Sequence, residues 1–319
     1  LDRLQKLINE ELKQLFAGTA PVTLYEPIRY VLEGGGKRIR PVLVILSCQA
    51  VGGAAAAATN AAVAVELLHN FTLVHDDIMD NDDTRRGRPT VHKKWDVPVA
   101  LLAGDGLLAL AYQALLRTPS LRISEAAAIF TDGLIEICEG QALDREFETR
   151  RDVSLDEYLI MIRKKTAALL ELSARIGAVI GNGAPAQVEA LGRFAANLGL
   201  AFQIQDDVLD ITSAQEVMGK TNGSDVMRKK QTYLSIHALT LGDPKSAAQL
   251  KEIFLKPTIE RADILQVKEL FQRCGALAAA QQRVQQYLDA AAASLDILPA
   301  SNAKNELKNL IAFISNRRF

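Results

Sequence analysis

The sequence predicts an all-α protein. Apolar residues recur at helical spacing, as in DEYLIMIRKKTAALLELSARIGAVI from Asp156 to Ile180, alanine is abundant, and runs of alternating β-branched residues are absent. The opening LDRLQKLINEELKQLF reads as an amphipathic helix. The uncharged run from Pro41 to Val65 reads as two buried helices joined by an Ala/Gly-rich turn, because Ser47, Gln49, Thr59 and Asn60 interrupt it and alanine gains little from lipid. Further breaks fall at Gly34 to Gly36, Gly52 to Gly53, Gly87 to Pro89, Gly181 to Pro185, Gly219 to Gly223, Gly242 to Pro244 and Leu298 to Ser301. They delimit about a dozen helices. No long linker or fixed-period repeat appears, so one domain spanning 1–319 is expected.

Hydrophobic residues make up 49% of the 319 and charged residues 24%, with a formal net charge of -1. That balance excludes a disordered chain and supplies no basic field for nucleic acid, so affinity for phosphate must come from local clusters. Cys48, Cys138 and Cys274 are odd in number and widely spaced, fitting neither a disulfide framework nor a CxxC metal site. A reducing, cytoplasmic setting is expected, with no signal peptide and no transmembrane segment.

The strongest feature is a repeated DDxxD pattern, Asp76-Asp77-Ile78-Met79-Asp80 and Asp206-Asp207-Val208-Leu209-Asp210, each at the C-terminal end of a helical segment. On a helix the first and fifth residues sit one above the other, so Asp76 with Asp80, and Asp206 with Asp210, can present paired carboxylates to one ion. Oxygen ligands without His or Cys favour a hard cation such as magnesium, which keeps waters and substrate phosphates in its shell. Without a cation the stacked acids would repel each other and oppose the helix dipole. Each motif leads into bases: Arg85, Arg86 and Arg88 after the first, Lys220, Lys229 and Lys230 after the second. A diphosphate held by metal on one side and by guanidinium or ammonium groups on the other suits this alternation.

Gly34-Gly35-Gly36-Lys37-Arg38-Ile39-Arg40-Pro41 forms a third candidate anion site, a glycine turn that allows close backbone approach to phosphate. It lacks the GxxxxGK[ST] pattern of a nucleotide-hydrolysing loop. His69 lies seven residues before Asp76, on nearly the same face, with His75 beside the motif. Lys165 and Thr166 interrupt an apolar helix, and Gln203 precedes Asp206 by three residues. Such polar groups need partners, and spacing alone leaves open whether they line a pocket or satisfy neighbouring backbone.

With these motifs in order, namely GGGKRIRP, LLHNFTLVHDDIMDNDDTRRGRPTVH, GQALD at 140 to 144, RKKTAAL and FQIQDDVLDITSAQEVMGKTNGSDVMRKKQT, nearly the whole chain resembles the trans-isoprenyl diphosphate synthases. The resemblance implies a helical bundle around a deep apolar cavity, a homodimer, and two acidic motifs facing each other. It implies three magnesium ions held by Asp76, Asp80, Asp206 and Asp210. Arg85, Lys165, Lys220 and Lys230 would grip the allylic diphosphate, and Lys37, Arg40, His69 and Arg86 the isopentenyl diphosphate. Thr166 and Gln203, with Lys165, would face the developing cation, and Arg317 and Arg318 could close over the site. A class I terpene cyclase would need no second diphosphate site, which GGGKRIRP supplies, and a non-catalytic synthase subunit would have lost motif residues that are all retained.

The sequence also carries a ruler for product length. Phe71 and Thr72 lie five and four residues before Asp76, about 6 to 8 Å deeper along the helix, and one Phe beside a small residue resembles archaeal-type geranylgeranyl synthases. A C20 product is expected from isopentenyl and allylic diphosphates, with C15 or longer products as the alternative.

Overall fold

The computed structural model describes residues 1–15, 20–150, 152–213 and 223–316. The chain is all-α as expected, and its one sheet among the described residues is a hairpin of two-residue strands. Sixteen α-helices form among these residues, more than about a dozen, and two of them, Val91–Lys94 and Ser224–Met227, are single turns. The surplus has a physical origin. Several helices start at a polar side chain rather than at Gly or Pro: the Ser154 hydroxyl accepts from the Glu157 N–H while Glu157 reaches back to the Ser154 N–H, and Thr232 and Ser235 cap each other likewise.

The chain divides into two compact units. The first comprises Leu1–Thr131, Leu172–Gly192 and Ile297–Leu307. It contains α1 (Asp2–Gln14), α2 (Val22–Glu33), α3 (Ile39–Ala50), α4 (Thr59–Met79), the strands β1 (Thr84–Arg85) and β2 (Arg88–Pro89), α5 (Val91–Lys94) and α6 (Val97–Leu116). The Pro41 to Val65 run does form two buried helical segments, α3 and the start of α4, separated by a short 3-10 turn at Ala55–Ala58. α4 packs along α6 and against α3, and its middle, from Ala61 to Leu68, is buried throughout. α6 is long and apolar enough to cross a membrane by length and composition, but Ala100, Ala103, Leu107 and Ala111 are buried in this unit, and α6 packs on α2 and α4.

The second unit comprises Asp132–Glu171, Arg193–Asp296 and Lys308–Phe319. α7 (Ile123–Phe147) runs into it, followed by α8 (Leu155–Ile162). The expected continuous helix from Asp156 to Ile180 is interrupted here by a π turn at Arg163–Ala167, after which α9 (Ala168–Ile180) resumes. α10 (Pro185–Thr212) carries the second acidic motif in its last turns, and α11 (Ser224–Met227) follows. α12 (Tyr233–Thr240) packs on α13 (Pro244–Leu255), α14 (Arg261–Arg273) and α15 (Ala276–Ser294), and α16 (Asn302–Ser315) completes the order.

Candidate active site

In the first unit the end of α4 is built around an ion pair. The Asp80 N–H donates to the Asp76 carbonyl at 2.8 Å, which keeps the two acids one helical turn apart, and the chain then turns through Asn81 with φ 52°. The middle acid points elsewhere. Asp77 is buried and accepts from Arg85 Nε and Nη2, each at 2.6 Å, so β1 is fastened to α4. Burial pushes Asp77 up to about 6, although the Arg85 charge pulls the other way.

Arg85 belongs to a tight hairpin whose register pairs Thr84 with Pro89 and Arg85 with Arg88. Its two linking residues, Arg86 and Gly87, both have positive φ, 54° and 72°, as a two-residue turn that follows strand twist requires. Tyr30 on α2 holds the far strand: its hydroxyl donates to the Pro89 carbonyl at 2.8 Å, and its ring lies 3.9 Å from the Arg88 guanidinium and 3.8 Å from the Lys94 ammonium. Arg86 therefore projects from a fixed turn, and it donates to the Gly35 carbonyl of the glycine loop.

That loop carries the other basic residues. Lys37 is exposed, Arg38 turns inward, and Arg40 on α3 lies 3.3 Å from His69 Nε2 on α4. Burial, then the charges of Arg40, Arg86, Arg85 and Arg38, hold the His69 imidazole well below its ordinary range, so it is neutral at pH 7. Arg38 is structural: it sits in the left-handed region with φ 48°, ion-pairs with buried Glu66 and donates to the Leu32 carbonyl at 2.6 Å. Deeper on α4, the Phe71 ring lies 4.7 Å from the His75 ring, and the Thr72 hydroxyl donates to the His69 carbonyl at 2.8 Å. His75 thus packs with Phe71 rather than joining the basic cluster.

In the second unit the π turn sets the geometry. A Cβ on Gly140 of α7 would fall 2.2 Å from the Lys165 backbone nitrogen, and one on Gly199 of α10 would fall 2.6 Å from the Ala167 Cα. Only glycine at both places lets the two helices close on the turn. Lys165 Nζ then reaches Asp144 Oδ2 at 2.5 Å. Burial opposes ionisation of Asp144, yet Lys230 and Lys165 together hold its carboxyl below the usual carboxylate range. Thr166 donates to Gln203 Oε1 at 3.0 Å, and Gln203 Nε2 donates to Asp207 Oδ1 at 3.3 Å.

Asp207 resembles Asp77 in being buried and fully engaged, here by the Tyr158 hydroxyl at 2.6 Å and the Tyr233 N–H at 3.1 Å. Burial, reinforced by Asp225, pushes it up to about 7. Asp206 is half-buried, and the Asp210 carboxylate accepts from the Ser224 hydroxyl at 2.7 Å and the Asp225 N–H at 3.0 Å, tying the end of α10 to the start of α11. Lys220, Arg317 and Arg318 lie outside the described residues.

The comparisons with known proteins point one way. The polyprenyl synthetase family model matches residues 21–271. The chain belongs to that family. It is 39% identical to a short chain isoprenyl diphosphate synthase of Methanothermobacter thermautotrophicus, covering 99% of this chain and 97% of that one. Its fold matches the crystal structure of geranylgeranyl pyrophosphate synthetase from Pyrococcus horikoshii with a TM-score of 0.94 at 39% identity, over 99% of this chain and 98% of that one. It also matches a polyprenyl synthase of Caulobacter crescentus solved with calcium and isoprenyl diphosphate, with a TM-score of 0.86 at 30% identity, over 99% and 94% of the two chains.

Membership of the polyprenyl synthetase family gives the acids a test. Among the described residues no three His, Cys, Asp or Glu side chains gather into a ready-made cage. The donors at the end of α4 are all oxygen, and the pair a turn apart, Asp76 and Asp80, leaves most of a six-coordinate shell to water and phosphate. That donor set fits magnesium. Three features of the site escape motif reading: the Arg38–Glu66 pair, the anchoring of Asp77 and Asp207, and Asp144 as the partner of Lys165. For the last there was a signal, since GQALD places Gly140 and Asp144 one turn apart on a helix.

Proposed function

We propose that this chain is a magnesium-dependent trans-prenyltransferase that condenses isopentenyl diphosphate with allylic diphosphates to give geranylgeranyl diphosphate, a C20 product. The observation that carries it is electrostatic. Arg40 lies 3.3 Å from His69, about two helical turns before Asp76 at the end of α4, where Asp76 and Asp80 are paired and the hairpin bearing Arg85 and Arg86 begins. Concentrated charge of both signs at one place suits a polyanion that arrives with divalent cations.

Asp76 and Asp80, with Asp206 and Asp210, would hold three magnesium ions. When bound, these ions supply the positive charge that makes diphosphate a competent leaving group. Arg85, Lys165, Lys220 and Lys230 hold the allylic diphosphate, and Lys37, Arg40, His69 and Arg86 hold the isopentenyl diphosphate. With Gln203 bound through its nitrogen to Asp207, its oxygen receives the Thr166 hydroxyl proton, so the Thr166 lone pairs stay available to a developing allylic cation. The allylic C–O bond breaks to release diphosphate, the isopentenyl double bond attacks the allylic cation to form the new C–C bond, and the released diphosphate takes the proton lost from the resulting carbocation.

Phe71 and Thr72 form the floor that stops growth at C20. The 39% sequence identity to a geranylgeranyl pyrophosphate synthetase supports that length. The whole of 1–319 works as one polyprenyl synthetase domain, in the cytoplasm. A homodimer is supported by exposed Val97, Leu101, Leu102 and Leu116 on α6. The test is incubation of radiolabelled isopentenyl diphosphate with dimethylallyl, geranyl or farnesyl diphosphate and magnesium, followed by sizing of the products. C20 with each primer is expected, and absence of any label incorporation overturns the proposal.

A further inference from the structure

α1 lies wholly before residue 21, where the family match begins, yet it touches the glycine loop directly. Ile8 and Leu12, one turn apart, are buried, and α1 packs on α3 and α4. Gln5 and Asn9 share the neighbouring edge of the helix, again one turn apart. Gln5 Nε2 donates to the Gly36 carbonyl at 2.8 Å, and Asn9 Oδ1 accepts from Arg38 Nε at 3.0 Å. A cavity of about 300 Å³, lined by Lys13, Arg29 and Glu33 among others, separates part of α1 from α2. Polar bonds, not close packing on α2, therefore connect α1 to the loop.

The loop needs such support. Gly35, Gly36 and Arg38 all have positive φ, at 73°, 136° and 48°. Glycines lose the most conformational freedom on ordering, and a left-handed arginine is held only when its surroundings fix it. Carbonyls of the loop are taken from two sides, Gly36 by Gln5 and Gly35 by Arg86 of the hairpin.

We infer that Gln5 and Asn9 are positioning residues that preorganise the loop that bears Lys37 and leads into α3 and Arg40, and so set affinity for isopentenyl diphosphate without contacting it. The inference rests on the proposed function, in which Lys37 and Arg40 take that diphosphate. Order supplied before binding lowers KM for the ligand of the loop and leaves the chemical step alone.

The test is steady-state kinetics on Gln5→Glu, which places a carboxylate against the Gly36 carbonyl, and on Asn9→Leu, which removes the acceptor for Arg38. Each should raise KM for isopentenyl diphosphate roughly three- to tenfold, the worth of one lost hydrogen bond, with kcat and the allylic KM changed less than about twofold. Asn9→Asp keeps the acceptor and should return KM to near the parent value. Unchanged isopentenyl KM in both variants, or a rise in both KM values together, overturns the inference. Lys37→Ala runs alongside: if it raises isopentenyl KM while the α1 variants do not, only the positioning role fails. If Lys37→Ala leaves that KM unchanged, the assignment of the loop fails and the inference falls with it.

Discussion

Arg85 donates from both Nε and Nη2 to one oxygen of Asp77, at 2.6 Å each. The middle acid of the first DDxxD thus secures the hairpin, and the acids that bracket it are the pair assigned to metal. The three aspartates should separate experimentally. Asp76→Ala and Asp80→Ala should lower kcat at least about a hundredfold, the scale of lost transition-state electrostatics, with little change in Tm. Asp77→Ala should lower Tm by several degrees, because it strands Arg85 beside a buried site. Calorimetry with kinetics at saturating magnesium decides it, and removal of magnesium by chelation should reproduce the Asp76 phenotype.

The neutral state of His69 links stability to pH. Its folded pKa is depressed by burial and by Arg40, Arg86, Arg85 and Arg38, whereas in the unfolded chain it titrates near about 6.5. Its contribution is therefore fully present above that value and is lost as pH falls below it. Denaturant unfolding between pH 8 and pH 5.5 should show stability declining on the acid side, with a shallower decline in His69→Asn. Parallel curves for the two proteins would remove His69 from the account.

Gly140→Ala tests the π turn. The added Cβ meets the Lys165 nitrogen at 2.2 Å and the Lys164 carbonyl carbon at 2.7 Å, both backbone atoms that cannot swing aside. A loss of about 1 to 3 kcal/mol is expected. kcat should fall as well, since Lys165 and Thr166 sit on the displaced turn. Unchanged Tm and kcat together would show that the turn relaxes freely.

Product length should respond to α4. Phe71→Ala removes the ring packed against His75 and should shift products beyond C20, whereas Thr72→Phe should shorten them. Chromatographic sizing reads the outcome. Lost activity without any change in length distribution would place the ruler elsewhere.

Much of this was legible in the sequence because it is periodic or punctuated. The helical period gave the fold class, and Gly34 to Gly36, Gly181 to Pro185 and Gly242 to Pro244 mark true helix boundaries. Boundaries at Ser154 and Thr232 were passed over because a side-chain cap looks, in sequence, like any polar residue. The π turn was hidden for another reason: one extra residue in a turn hardly disturbs an apolar pattern, and its cause lies far along the chain, in Gly140 and Gly199. Among the acids, helical spacing pairs Asp76 with Asp80 but is silent on what Asp77 does. Its burial and its Arg85 partner are created only by folding.

The glycines at 140 and 199 also bear on how this enzyme can evolve. Every single-nucleotide change of a glycine codon that alters the residue adds at least a Cβ, and here even that atom has nowhere to go. No neutral path leads away from either position one mutation at a time. Phe71 faces no such barrier, because one-base changes of its codon reach Leu, Ile, Val, Cys and Ser, a graded series of smaller side chains. With the floor proposed at Phe71, selection can therefore retune the length of the hydrocarbon in small steps while the turn carrying Lys165 and Thr166 stays frozen.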